Sequence, residues 1–400
     1  MNLYVHFPFC RAKCAYCALH SRAGSTPEAR RAYCARLAEQ LAALGTDLKL
    51  STIYFGGGSP ALCDLTPIFD ALHSLGHVAK SGMDNNPFGE AALLPLPKGM
   101  SKMKRQECRF PEGMSKMKRQ ECRFPEERES VPEFTVELHP LDARTEVLEM
   151  LKNGGVNRIS MGVQSFDDDV LKAMGRLHTA AEAEAAFRAV RAADFTNAGI
   201  DLIAGWPGTT PESWRTTLAR ATALGLDHCS VYTLIHEPKT RLDLEIRRGG
   251  LSLPSDDAAL AQIDAARAAL AEAGLIRYEI SNYARPGFEC QHNLAVWRGE
   301  DYIGLGEGAH GRRGLVRTAS GVETMVTPEE DAVERALFSL RTCEGLSIDR
   351  VARLWPILTP RLPAWREKLE FFKRQGLLKE SYRLTPRGAE VCDSILADLI

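Results

Sequence analysis

The sequence has no apolar run approaching the ~20 residues that span a bilayer, so stable membrane insertion is not expected. Nor does it carry an excess of charge of either sign: 50 Lys and Arg face 52 Asp and Glu, for a formal net charge of -2. That balance argues against a basic nucleic-acid-binding surface and against an acidic solvating tail. The opening MNLYVHFPFC lacks a basic segment followed by a long apolar stretch, so no secretory leader is expected and the cytoplasm is the expected compartment. Disulfides are rare there, so clustered cysteines read as metal ligands or reactive thiols. Of 11 cysteines, three fall within eight residues and the others are scattered.

What is present is an alternation. Short β-rich apolar runs lie near Leu3–Phe7, Thr52–Phe55, Phe134–Glu137, Arg158–Met161, Gly199–Ile203 and Cys229–Thr233. Between them lie amphipathic stretches at Ala29–Leu44, Arg144–Asn153, Ala180–Ala193 and Pro211–Leu224. Strand–helix alternation of this kind argues for an α/β fold with a parallel sheet of right-handed βαβ units. Six repeats fit a partial (β/α)6 TIM-like barrel, and periodicity alone also fits an open doubly wound sheet. The 400 residues exceed one compact domain, so a smaller second domain is expected.

One segment breaks the pattern. GMSKMKRQECRFPE, at 99–112, is repeated letter for letter at 113–126. A two-copy repeat is too short for a solenoid. It is basic and poor in apolar residues, and it reads as a repetitive insertion, at about 78–130, left as a disordered solvated loop. A basic docking arm for an acidic partner is the alternative. Cys108 and Cys122 on this loop are not counted as ligands.

From about residue 326 the pattern turns helical, with Pro328–Arg341, Leu346–Leu354, Ala364–Gln375 and Pro386–Leu399 and a short hairpin around Gly376–Pro386. Helices with a small β-wing suggest a winged-helix-like domain, whose role the fold does not fix.

The chemistry centres on CRAKCAYC, a Cys-x3-Cys-x2-Cys run through Cys10, Cys14 and Cys17, directly after the first strand. An iron–sulfur cube normally takes four thiolates, so three leave one iron open to a ligand that is not a side chain. S-adenosylmethionine (SAM) can chelate that iron through its amine and carboxylate. His20 follows Cys17 by three positions, so a Cys3His zinc site is the alternative. Other residues favour the cluster. FGGGSP, Phe55–Pro60, ends the second strand with three glycines that let backbone approach a ligand. Glu137 ends the third strand, Gln164 follows the fourth and Asp201 lies in the fifth. In barrels, chemistry collects at the C-terminal strand ends, where these residues would share one face.

LYVHFPFCRAKCAYC, FGGGSP, RISMGVQSFDDDVLKAMGR and RYEISNYARPGFECQHNLAVWRGEDYIGLGEGAH resemble the coproporphyrinogen-oxidase-like branch of the radical SAM superfamily, and most closely its heme chaperone (HemW-type) subgroup. The resemblance covers nearly the whole chain outside the insertion. It implies a radical SAM partial barrel at 1–235, a barrel-completing, heme- or substrate-side segment at 236–325 and a HemN-type domain at 326–400. It also implies a [4Fe–4S] cluster on Cys10, Cys14 and Cys17 with exchangeable SAM, and SAM contacts by Tyr4, Tyr16, Gly57, Gly58, Ser59, Glu137, Gln164, Arg176 and Asp201.

Within that branch, the oxygen-independent coproporphyrinogen III oxidases, which decarboxylate porphyrin precursors, carry a further cysteine where this chain has Leu19, and an extension ahead of the cysteine loop. The heme chaperones share an HNxxYW segment; here it is HNLAVW, with Val296 in place of Tyr. By that resemblance His292, Asn293 and Trp297 are heme candidates, with Cys290 a thiolate alternative. The expected function is binding heme and passing it to an acceptor protein, with a reductant protein for the cluster; the alternative is an enzyme, an oxygen-independent coproporphyrinogen III oxidase.

Overall fold

The computed structural model describes residues 1–46, 48–77 and 131–400. The duplicated segment, with Cys108 and Cys122, lies outside the described residues.

Six parallel strands form the centre: β1 (Asn2–Phe7), β2 (Thr52–Gly57), β3 (Glu133–Leu138), β4 (Arg158–Gln164), β5 (Ala198–Ala204) and β6 (His228–Thr233), paired in that order. Two-residue alternation decides their faces. Leu3, Val5, Phe7, Ile53, Phe55, Phe134, Val136, Ile159, Met161, Ile200 and Leu202 are buried in one apolar core with the covering helices. Each such side chain is worth roughly 1.5–3 kcal/mol of burial. These helices are α1 (Pro27–Ala42), α2 (Thr66–Ser74), α3 (Thr145–Asn153), α4 (Asp168–Ala173), α5 (Ala180–Ala192) and α6 (Pro211–Ala223). The alternate residues, among them Asn2, Tyr4, His6, Thr52, Tyr54, Thr135, Glu137, Ser160 and Asp201, line a polar interior.

Helix starts follow local chemistry. Thr179 and Glu182 close a capping box on α5, as do Thr210 and Ser213 on α6.

After α7 (Arg241–Arg247) and α8 (Asp256–Glu272), the chain adds strands to both edges of the sheet. β7 (Ile276–Arg277) pairs with β8 (Asn282–Ala284), which runs antiparallel to β6. Beyond α9 (Gln291–Trp297), β9 (Tyr302–Leu305) lies parallel to β1, and β10 (His310–Arg313), β11 (Val316–Ala319) and β12 (Val322–Met325) continue as an antiparallel ribbon. The two sheet edges do not pair with each other, so the barrel is incomplete.

The C-terminal helices are α10 (Pro328–Phe338), α11 (Ile348–Leu354), α12 (Leu362–Arg374), α13 (Pro386–Glu390) and α14 (Cys392–Leu399). They close on a second core of Leu337, Leu340, Val351, Trp365, Leu369 and Ile395. Two expectations change here. The helix expected over Pro386–Leu399 breaks at Val391, whose ψ of 22 is not helical. The wing is reduced to one bridge, Leu378 to Leu384, because Tyr382 at φ 49 turns the chain at once.

Candidate functional site

A cavity of 1180 Å³ opens at the C-terminal ends of β1–β6. The cysteine loop forms one wall: Cys10, Cys14, Tyr16 and Cys17 all face it. Several bonds hold that loop. Ala15 N–H donates to the Met174 carbonyl (2.9 Å), and Leu242 N–H donates to the Ala15 carbonyl (2.8 Å). Arg11 Nε donates to the buried Asp142 carboxylate (2.9 Å), which ties the loop to the turn after β3. Arg176 Nη1 donates to Cys14 Sγ (3.4 Å).

The glycine loop is bonded to the cysteine loop through its backbone. Gly58 N–H donates to the Phe7 carbonyl (2.7 Å) and Ser59 N–H to the Phe9 carbonyl (2.6 Å). Gly57 has φ +103, and a Cβ there would lie 2.4 Å from the His6 ring. At Gly58 a Cβ would lie 2.4 Å from the Phe9 carbonyl oxygen.

Glu137, Gln164, Arg176 and Asp201 face the same cavity. Glu137 accepts from Tyr54 Oη (2.9 Å) and Gly57 N–H (3.0 Å). Burial, followed by the nearby Asp201 carboxylate, pushes its pKa up to about 7. Folded Glu137 therefore holds its proton more tightly than the unfolded chain does. Its stabilising contribution is present below the ordinary value of 4.5 and is lost as pH rises towards 7. Urea midpoints of the ligand-free protein should fall over that interval, and Glu137→Gln should flatten the slope. Asp201 accepts from Ser160 Oγ (3.2 Å), and burial raises its pKa as well. Gln164 adopts φ 74 at a register shift in β4, a strained backbone held at the cavity wall.

The residues fit a three-thiolate cluster with SAM: three thiols on one wall, a guanidinium beside one of them, and carboxylates for cationic groups. They fit a zinc site poorly. His20 turns to Glu307, with Nε2 to Oε2 at 3.8 Å, and among the described residues no three Cys, His, Asp or Glu side chains converge on a single-ion site.

Tyr4 stands apart from the other expected SAM contacts. Its hydroxyl lies 3.0 Å from His6 Nδ1 and its ring stacks on Tyr54 inside the barrel, below the cavity lining. The heme candidates are not brought to the cysteines. His292 packs at the opposite end of the strands, its Nδ1 2.8 Å from Thr52 Oγ1 and its ring 5.1 Å from that of Tyr54. Thr52 stands five residues below Gly57, about 16 Å at ~3.3 Å per residue. Thr52 gives its own proton to Asn2, so His292 carries hydrogen on Nδ1 and leaves Nε2 bare. The ring is thus chemically able to bind iron, but it is only 5% exposed. Burial pushes the Cys290 thiol up to about 12, so it is not available as a thiolate. Asn293 follows on α9 and is half-buried. Trp297 packs edge-on to Phe338, with the Arg341 guanidinium 5.0 Å from its ring.

Sequence reasoning passed over His139, whose Nδ1 accepts the Leu141 N–H (3.2 Å) and which burial and Arg176 keep neutral. It also passed over the far wall, where Arg277, Ile280, Arg341, Arg387, Val391 and Cys392 face the cavity.

Residues 4–221 match the family described as the radical SAM superfamily. The chain is 30% identical over 373 residues to the heme chaperone HemW of Bacillus subtilis, covering 88% of this chain and 86% of that protein. It is 31% identical over 315 residues to the heme chaperone HemW of Escherichia coli, covering 78% and 70% respectively. Among solved structures, coproporphyrinogen III oxidase (HemN) from Escherichia coli, a radical SAM enzyme, superposes with a TM-score of 0.72 at 21% identity, covering 100% of this chain and 89% of that one. At that identity the likeness is one of fold. No helix among the described residues is long and apolar enough to cross a membrane.

Proposed function

Because the chain belongs to the radical SAM superfamily, and within it to the HemW-type branch, we propose that it is a cytoplasmic heme chaperone. Cys10, Cys14 and Cys17 hold a [4Fe–4S] cluster, SAM occupies the polar half of the cavity, and heme occupies the apolar half before passing to an acceptor protein. A reductant protein serves the cluster. When bound, the cluster and SAM together supply one-electron chemistry. The chain's own residues would orient and shield them: Arg176 donates to Cys14 Sγ, Gly57 and Gly58 let the glycine loop close on the first strand and the cysteine loop, and Glu137 and Asp201 receive the ligand's cationic groups.

The observation that carries the reading is the size and mixed lining of the cavity. At 1180 Å³ it exceeds the ~300–1,000 Å³ of a single small-molecule site. Part of its lining is apolar: Leu260 and Ile263 from α8, with Ile280 and Val391. Leu19, more than half exposed, faces the same space beside the cysteines. Trp297 backs this wall through Arg341, whereas His292 would reach heme iron only if α9 left its seat on Thr52.

Anaerobically reconstituted protein titrated with hemin should give a saturable Soret band. His292→Ala should leave that affinity within about twofold and lower stability by about 1–3 kcal/mol, as expected when a buried hydrogen-bonded group is removed. Incubation with coproporphyrinogen III, SAM and a reductant should give no multiple turnover. Turnover to protoporphyrinogen IX would overturn the chaperone reading in favour of an oxidase.

A further inference from the structure

The cluster and SAM leave one group of cavity side chains without a task. Arg277, Arg341 and Arg387 face the cavity from three separate places: β7, the turn after α10, and α13. Together they bring three guanidiniums to one side of the cavity, alongside Glu390 and Asp393.

Their partners differ. Arg341 pairs with Asp393 and lies over the Trp297 ring at 5.0 Å, so its charge is already answered. Arg277 donates from Nε to the Glu279 carbonyl (2.9 Å), and its two terminal nitrogens donate to nothing among the described residues. Arg387 is exposed and makes neither a hydrogen bond nor an ion pair among the described residues. Of the carboxylates on this wall, Asp393 is taken by Arg341, and Glu390 feels both Arg277 and Arg387 without a direct bond to either. Glu237 and Asp256 reach the cavity from the barrel side. Two guanidiniums with unfilled forks therefore stand at the edge of an apolar wall made by Ile280, Val391, Leu260 and Ile263.

A guanidinium fork matches a carboxylate in a bidentate, planar manner. An apolar wall ending in two such forks suits a flat apolar body that carries two carboxylates on one edge. We propose that Arg277 and Arg387 clamp the two propionates of a tetrapyrrole lying on the apolar half of the cavity, with Arg341 held in place by Asp393 as a positioning residue. The inference rests on the heme reading above and adds a direction to it. The propionate edge faces the C-terminal helices, and the opposite edge faces the cysteine loop.

The test compares hemin with hemin dimethyl ester, whose propionates are blocked, on the reconstituted full chain. The intact protein should bind hemin about tenfold or more tightly than the ester, as a charge-assisted pair requires. In the Arg277→Gln/Arg387→Gln variant hemin should fall to the level of the ester, while ester and SAM affinities stay as in the intact protein. Should the double variant not fold, Arg387→Gln alone carries the test, because that residue is exposed. Equal affinity of the intact protein for hemin and ester, or a variant that keeps the preference, overturns the clamp and leaves the heme reading standing. No saturable binding of either compound overturns the heme reading and the clamp with it.

Discussion

Replacing Cys14 with alanine is expected to leave less than one iron per chain after anaerobic reconstitution, where the intact protein holds about four. A cube held by three thiolates has none to spare, since its fourth iron already lacks a side chain. Cys14 is also the thiol that accepts from Arg176, at 3.4 Å. The fold should survive the change. The loop keeps its bonds from Ala15 to Met174, from Leu242 to Ala15 and from Arg11 to Asp142, none of which uses the sulfur. Far-UV circular dichroism should match that of the intact protein, and stability should shift by no more than about 1 kcal/mol. Iron and zinc content together decide the result: one equivalent of zinc in the intact protein, with no brown colour, would sink the cluster assignment.

Gly58→Ala is expected to cost about 3 kcal/mol, a large effect for one methyl group. The added carbon would lie 2.4 Å from the Phe9 carbonyl oxygen and 2.7 Å from that of Phe7, both backbone atoms that cannot swing aside. Those same carbonyls accept the N–H groups of Ser59 and Gly58. The methyl group would thus part the glycine loop from the cysteine loop, so cluster content should fall along with stability. The urea midpoint, read at constant slope, measures the first effect and iron analysis the second. A midpoint within 0.5 kcal/mol of the intact protein would mean the two loops separate without cost.

The six parallel strands were legible because buried parallel strands are apolar runs whose ends carry glycine and polar residues. Thr52–Phe55 and Gly199–Ile203 differ from the observed strands by only one or two residues at each end. The polar residues at the strand tips were legible for the same reason, since register alone brings Glu137, Gln164 and Asp201 to one rim. The edge strands β9–β12 were not legible. Segments such as His310–Arg313 and Val322–Met325 are short, carry charge and lack an apolar buried face to impose alternation. The far wall escaped for a different reason: Arg277, Arg341 and Arg387 are 64 and 46 residues apart along the chain, and only tertiary closure gives them a common surface. The HNLAVW segment was visible as a motif, but its depth was not. A buried Thr52 hydroxyl and the Tyr54 ring hold His292 at the barrel floor, and neither leaves a mark in the local sequence.

The cavity walls belong to two cores, one around the sheet and one around Leu337, Trp365 and Leu369. A ligand touching both walls adds its binding free energy to the cohesion between them, by RT ln(1 + [L]/Kd). Occupancy and interdomain stiffness are then two readings of one equilibrium. Ion pairs from Arg335 to Asp301 and from Arg298 to Glu344 already join the helical part to the barrel, and a full site would add to them.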